Sequence, residues 1–311
     1  MLNFVLHKRH GSQLIALSLL IVLKSAFKQI AIFLIESNLY IALSASVLTF
    51  ATQLLLHQQP GFHPYLFIIF FATFFDYNLH RLYTLHFAKA ALQGQRHAWL
   101  LRNKGLFYML MALASVGFLI SISQAKSEVL LVLMPFAALT IFYSIPFLRW
   151  KNKNWRLRDL PYIKLFLIAG NWTMITILLP LIQYGKTVDD TEVLWIIAER
   201  FFFVLALCIP FDIRDIDTDR QAGLSTIPNT IGVKKSWQVA FLCVIISAII
   251  STIHYLNNEQ ISYLIAFLIS ATLTIIALSI AKRRLYNLYL YGVIDGMMLL
   301  QAILVIMATY F

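Results

Sequence analysis

The sequence predicts an all-α integral membrane protein, a bundle of about nine transmembrane helices preceded by an extra N-terminal amphipathic helix. Three observations predict it. Of 311 residues, 60% are apolar and only 13% charged, outside the range of ordinary soluble domains. The apolar residues fall in blocks long enough to cross a hydrocarbon core, which takes about 20 residues. The Lys and Arg residues sit between these blocks, in alternate loops, as the positive-inside rule requires.

The expected spans are 38–56, 64–85, 105–123, 128–148, 162–183, 191–211, 237–256, 261–281 and 290–310. The loop after the second carries Lys89, Arg96, Arg102 and Lys104, and the loop after the fourth carries Arg149, Lys151, Lys153, Arg156 and Arg158. The loops after the sixth and eighth add Arg214, Arg220, Lys234, Lys235, Lys282, Arg283 and Arg284. The intervening loops offer Lys126 and Lys186. The basic loops are therefore expected to be cytoplasmic, with a cytoplasmic N-terminus, and a bacterial inner membrane is the expected location. The net charge of +11 follows from topology and attraction to anionic lipid, so no nucleic-acid partner is implied.

Residues 12–35 are apolar but interrupted by Lys24 and Lys28, which share a helical face, and an interfacial amphipathic helix fits them best. A cleaved signal peptide and a tenth span are the alternatives. The expected division is a segment 1–37 and one transmembrane domain, 38–311. Cys208 and Cys243 both lie in apolar blocks, which argues against a disulfide framework or a cysteine metal cluster. Neither a P-loop nor a dinucleotide-binding glycine pattern is present.

The chain has only 14 Asp and Glu, yet Asp212, Asp215, Asp217 and Asp219 crowd into eight positions at the end of the sixth span. On a continuous helix Asp212, Asp215 and Asp219 would fall within roughly 60° of one another, with Asp217 pointing away. Three like charges on one face need a compensating cation. Oxygen-only ligands select a hard ion such as Mg²⁺, which typically bridges carboxylates to substrate phosphates. Pro210, just before the cluster, suggests a break there. The bland alternative is a solvated acidic loop paired with Arg214 and Arg220.

Asp212-x-x-Asp215-x-x-x-Asp219, followed by Arg220-Gln-Ala-Gly223 and Ser225-Thr226-Ile227-Pro228, resembles the second aspartate-rich motif of the UbiA superfamily of intramembrane prenyltransferases. Tyr143-Ser-Ile-Pro146 with Arg149 after it resembles a further family feature at the end of the fourth helix. The resemblance implies nine transmembrane helices, a Mg²⁺-bound prenyl diphosphate held between two aspartate-rich motifs, and a lipophilic acceptor, aromatic or other, bound inside the bundle. The corresponding first motif reads Ala72-Thr-Phe-Phe-Asp76-Tyr-Asn78-Leu-His80-Arg81, where the family has Asn-x-x-x-Asp-x-x-x-Asp. The middle carboxylate alone is kept, and Asn78 falls on the opposite side of the helix.

The resemblance thus assigns Asp212, Asp215, Asp219 and Asp76 to metal binding and catalysis. Lys164, Arg81, Arg220 and His80 are the expected diphosphate contacts, and His80 could also bind metal or act as a base. Asn171, Asp295 and Tyr143 are expected at the acceptor pocket. Arg149 and Arg158 read as topology charges. Glu199 and Arg200 are further candidates by their membrane depth. The function so implied is Mg²⁺-dependent transfer of a prenyl group to a lipophilic acceptor. The alternatives are a terpene cyclase, a non-catalytic isoprenoid-binding homologue and, more remotely, a transporter.

Overall fold

The computed structural model describes residues 24–87, 95–144, 148–150, 153–188, 190–221 and 223–310. A helix occupies each place where the hydropathy blocks predict a span. In chain order the helices are α1 (Lys24–Glu36), α2 (Leu39–Leu55), α3 (Pro64–Phe87), α4 (Gln95–Arg102), α5 (Lys104–Gln124), α6 (Ser127–Ser144), α7 (Ile163–Gln183), α8 (Thr191–Arg214), α9 (Ile216–Gln221), α10 (Ile227–Ile231), α11 (Val233–Asn257) and α12 (Ile261–Ala281). The last, α13 (Asn287–Ala308), contains a π turn at Leu290–Ile294. Six of them, α5, α7, α8, α11, α12 and α13, have the length and apolarity of membrane-crossing helices. The remaining three expected places hold α2, α3 and α6.

The core is built around α8, which packs against α7 and α11, while α2 joins α3, α7 and α13. Buried Phe203, Val204, Leu207 and Ile209 of α8 meet Leu48 of α2, Ile177 of α7, Ala240 of α11 and Ala302 of α13. Away from this seam the helices stay apolar. Leu113, Leu119 and Leu131 of α5 and α6 are exposed, as are Ile249 and Ile276 of α11 and α12. Such a surface is stable against lipid, where helices satisfy their own backbone polar groups.

Two local results differ from the sequence expectation. Within the described residues the helix of the fourth span runs to Ser144, and 145–147, which include Pro146, lie outside them. Beyond it, Leu148–Trp150 and Lys153–Trp155 form a small antiparallel hairpin in the otherwise helical fold. Pro210 does not end the sixth span, since α8 runs through it to Arg214 and breaks at Asp215.

At the N-terminal end, α1 meets α2 at 77°, with Asn38 at the bend in the left-handed region (φ 68°). Asn78 secures this corner. Its carbonyl accepts from Asn38 Nδ2 at 2.8 Å, and its Nδ2 donates to the Ser37 and Phe74 carbonyls. Asn78 therefore has a structural duty on the far side of α3 from Asp76. Within the expected amphipathic segment, residues 12–23 lie outside the described residues.

Candidate active site

Local chemistry explains why α7, α8 and α9 converge. After α9 the chain reverses through Gly223 (φ 69°), whose N–H donates to the Arg220 carbonyl while that of Leu224 reaches the Asp219 carbonyl. This pair of bonds is a Schellman cap, which needs a residue tolerant of the left-handed region. The reversal carries Ser225 alongside the start of α7, where the Tyr162 N–H donates to the Ser225 carbonyl at 2.9 Å. Lys164 in the first turn of α7 is thereby set against Asp212 and Asp219.

The Lys164 ammonium lies 2.7 Å from Asp212 Oδ1 and 3.2 Å from Asp219 Oδ2. All three side chains are nearly buried, at 9%, 2% and 5% exposure. A cation in a first helical turn opposes the helix dipole, and desolvation adds to the cost, so this position is tenable because two carboxylates compensate it. Asp215 follows a different course. As the cap residue of α8 it is gripped by Arg214, whose Nε and Nη2 donate to its two oxygens at 2.7 and 2.8 Å. Arg214 in turn is anchored by Tyr291 OH at 2.7 Å and the Asn287 side chain at 3.3 Å. Asp217 is exposed and faces away, as the helical spacing predicts.

The expected stripe of three convergent carboxylates is thus split by the helix break at Asp215. Among the described residues no three His, Cys, Asp or Glu side chains come together closely enough to hold an ion. Within the second motif one ligand atom is available: Asp212 Oδ2 is buried with no hydrogen-bond partner among the described residues. Asp212 lines a narrow cleft together with Arg158, Lys164, Ser225 and Thr226. The Thr226 hydroxyl is likewise buried without a partner among those residues. This donor set fits a single Mg²⁺ completed by phosphate oxygens and water, the usual state of that ion. It does not fit a cage of three carboxylates.

Arg158 is the residue that sequence reasoning passed over. It belongs to a 3₁₀ turn, Leu157–Asp159, which Arg156 locks by donating from its backbone N, Nε and Nη2 to the Asp159 carboxylate, each at 3.0 Å. Burial alone would raise the Asp159 carboxyl, but the Arg156 hydrogen bonds and charge outweigh it and hold the group below the usual carboxylate range. From this turn Arg158 reaches His80, Nη1 to Nε2 at 3.2 Å, and lies over the Tyr143 ring, 5.8 Å from its centroid. The signal available in the sequence was the Arg156-x-x-Asp159 spacing of a closed turn, which distinguishes Arg158 from the looser basic residues before it.

Asp76 makes no hydrogen bond or ion pair among the described residues, and Arg81 is buried on the following turn of α3. Arg220 lies on the outer side of α9, about two-thirds exposed and 4.0 Å from Asp217, outside the cleft. Tyr143, expected at the acceptor pocket, carries the Arg158 guanidinium over its ring, 5.8 Å from the centroid. Asn171 donates to Thr140 Oγ1 at 3.3 Å, and its carbonyl oxygen is buried without a partner among the described residues. Asp295 lines a second narrow cleft with Asn38, Tyr40, Tyr77 and Tyr291. Tyr291, which lines this second cleft, also accepts from Arg214 Nη1 at 2.7 Å.

Comparison with known proteins agrees with this architecture. The model of the UbiA prenyltransferase family matches residues 98–287, more than half of the chain. A UbiA homologue from Archaeoglobus fulgidus, solved bound to GPP and Mg²⁺, superposes with a TM-score of 0.57 at 17% identity, covering 88% of this chain and 99% of that one. A UbiA homologue from Aeropyrum pernix K1, solved without ligand, gives 0.56 at 14% identity over 86% of this chain and 94% of its own. At these identities the likeness speaks for the fold. No curated protein sequence matches the chain.

Proposed function

The chain belongs to the UbiA prenyltransferase family, and from that premise we propose that it transfers a prenyl group from an allylic diphosphate to a lipophilic acceptor within the membrane. The observation that carries this reading is the buried cleft where Lys164, Arg158 and Asp212 converge. It offers cations to a diphosphate and one free carboxylate oxygen to a bridging ion. The homologue solved with GPP and Mg²⁺ supports the same ligand chemistry here. With the basic loops facing the cytoplasm, the cleft opens on that side and the prenyl chain runs into the bundle.

In the reaction the allylic C–O bond breaks and its electron pair leaves with the diphosphate. The acceptor then forms a bond to the freed carbon and releases a proton. Lys164 and Arg158 meet the charge that develops on the leaving oxygens, placed in advance by Asp219 and by the locked 3₁₀ turn. Mg²⁺, when bound at Asp212, supplies further neutralisation of that charge. The Tyr143 face under Arg158 adds an aromatic wall that excludes water and tolerates positive charge. Asn171 and Asp295, deeper in the bundle and in the second cleft, are positioned to orient an acceptor.

Diphosphate release from a panel of allylic diphosphates of increasing length, with purified protein in detergent, tests the reading. Mg²⁺-dependent release that requires an added acceptor and disappears in Asp212→Asn is the expected result. Folded protein that binds prenyl diphosphate but releases nothing would favour a non-catalytic isoprenoid-binding homologue. Ala72 and the Arg158-bonded His80 in the first motif are the observations on that side.

A further inference from the structure

We propose that Lys164 is a tethered cation standing in for one divalent ion, so that this diphosphate site works with a single Mg²⁺ and carries the rest of its positive charge in its own side chains. The proposal rests on the diphosphate-site reading above and concerns what charges that site.

The Lys164 ammonium occupies the position that an ion bridging the outer two aspartates would take. It touches one oxygen of Asp212 at 2.7 Å and one of Asp219 at 3.2 Å. A topology-setting lysine would extend to water at the membrane edge. This one is instead 9% exposed and sits in the first turn of α7, where the helix dipole opposes it. A costly placement with two bonded partners indicates a specific task.

The central carboxylate of the second motif and the histidine of the first are committed in the same sense. Asp215, the central carboxylate of the motif, is held through both oxygens by Arg214. On the opposing helix, Ala72 and His80 stand at the two outer positions of the stripe, and His80 Nε2 is engaged by Arg158. Asp212 and Asp219 are thus bridged by Lys164 and Asp215 is held by Arg214, while Arg158 brings a further fixed cation to the same cleft. A locally balanced site has little field to recruit a second divalent ion. Asp212 Oδ2, buried and without a partner among the described residues, and the unpaired Asp76 of α3 are the carboxylate ligands left, enough for one ion completed by diphosphate oxygens and water.

Lys164→Met removes the ammonium while keeping a chain of similar shape, and uncovers Asp212 and Asp219 for metal. Equilibrium dialysis and electron paramagnetic resonance with Mn²⁺, with and without inorganic diphosphate, count the ions on the full-length protein in detergent. The expected result is one Mn²⁺ per wild-type chain with diphosphate present, and a second in Lys164→Met. Mn²⁺ binding without diphosphate should tighten at least tenfold in that variant, while Lys164→Arg keeps the wild-type count. Two ions on the wild-type protein, or an unchanged count and affinity in Lys164→Met, would overturn the proposal. Should Lys164→Met fail to fold, the wild-type count decides alone. Ion counts are independent of turnover, so a protein that shows the expected counts but releases no diphosphate refutes the proposed reaction and leaves this inference standing.

Discussion

Helix α8 carries two buried charged clusters, and they are solved in opposite ways. At its end Asp212 faces a charge of opposite sign, Lys164, across a cleft that also holds Arg158, Ser225 and Thr226. Twelve residues earlier, or about 18 Å along the axis, Glu199 and Arg200 are 2% and 1% exposed. They are adjacent charges of opposite sign whose hydrogen bonds go to neutral groups. Arg200 Nη1 donates to Thr52 Oγ1 at 2.6 Å and Thr176 Oγ1 at 3.1 Å. Glu199 Oε1 accepts from Ser247 Oγ at 2.9 Å and Gln301 Nε2 at 3.0 Å. Neither residue lines either of the two clefts described above. Burial of charge therefore does not by itself mark the site. The inner cluster cross-links α2, α7, α8, α11 and α13, whereas the outer one lines the first cleft.

The comparison is tested most strongly by exchanging activity for stability. Asp212→Asn should lower diphosphate release by about 10²–10³-fold, the cost of removing one preorganised charged group, while the detergent-solubilised protein keeps its fold by circular dichroism. Arg200→Met should do the reverse. Deleting one partner of a buried charge pair costs about 3–5 kcal/mol, so thermal unfolding in detergent should fall sharply while KM for the prenyl diphosphate in the surviving protein stays unchanged. Adding Glu199→Gln should restore part of that loss. An Arg200→Met protein of wild-type stability with altered KM would mean that the inner cluster belongs to the substrate path. Next in size is Arg158→Gln: a lost hydrogen bond to a charged group costs about 1.5–3 kcal/mol, which predicts a KM for prenyl diphosphate raised by about tenfold or more with the fold intact.

The same contrast shows what could be read without coordinates. The spans were legible because a membrane helix is specified by length and apolarity along the chain alone. The acidic cluster was legible from its density, and Lys164 from its place at a span boundary beside Asn171. The pairing of Lys164 with both Asp212 and Asp219 was not, because it depends on the Gly223 reversal and the Tyr162 to Ser225 bond, both tertiary outcomes. The break at Asp215 was expected at Pro210, yet a proline within a membrane helix is tolerated where neighbours re-satisfy the freed backbone groups. Arg158 was hidden because a basic residue in a basic loop looks the same whether it sets topology or lines a cleft. Glu199 and Arg200 stood out by depth, but their four neutral partners lie on four other helices and leave no local pattern.

A smaller effect should separate the two clefts. A Cβ on Gly296 would come within 2.3 Å of the Tyr40 hydroxyl and 3.3 Å of its ring, beside Asp295 in the second cleft. Gly296→Ala must displace Tyr40, at an overpacking cost of about 1–3 kcal/mol. If the second cleft receives the acceptor, KM for the acceptor should change in this variant while KM for the diphosphate does not. Equal changes in both would join the two clefts into one site.

The smallest effect should come from the turn that aims Arg158, and its sign follows from Asp159. The Asp159 carboxyl is held below the ordinary range by Arg156 in spite of its burial. Its contribution to the turn is then fully present above the unfolded value of about 3.9 and is lost as the pH falls through the lower folded value. Across pH 5 to 8 the turn should be indifferent to pH, and diphosphate KM should show no acid limb from this group. Below about pH 4 the wild-type protein should lose thermal stability more steeply than Asp159→Asn, which cannot titrate there. At neutral pH Asp159→Asn should raise the diphosphate KM by less than Arg158→Gln does, because it loosens the support of Arg158 and leaves the guanidinium in place. An Asp159→Asn effect as large as that of Arg158→Gln would show that the locked turn, and not the cation alone, determines how the outer cluster meets its ligand.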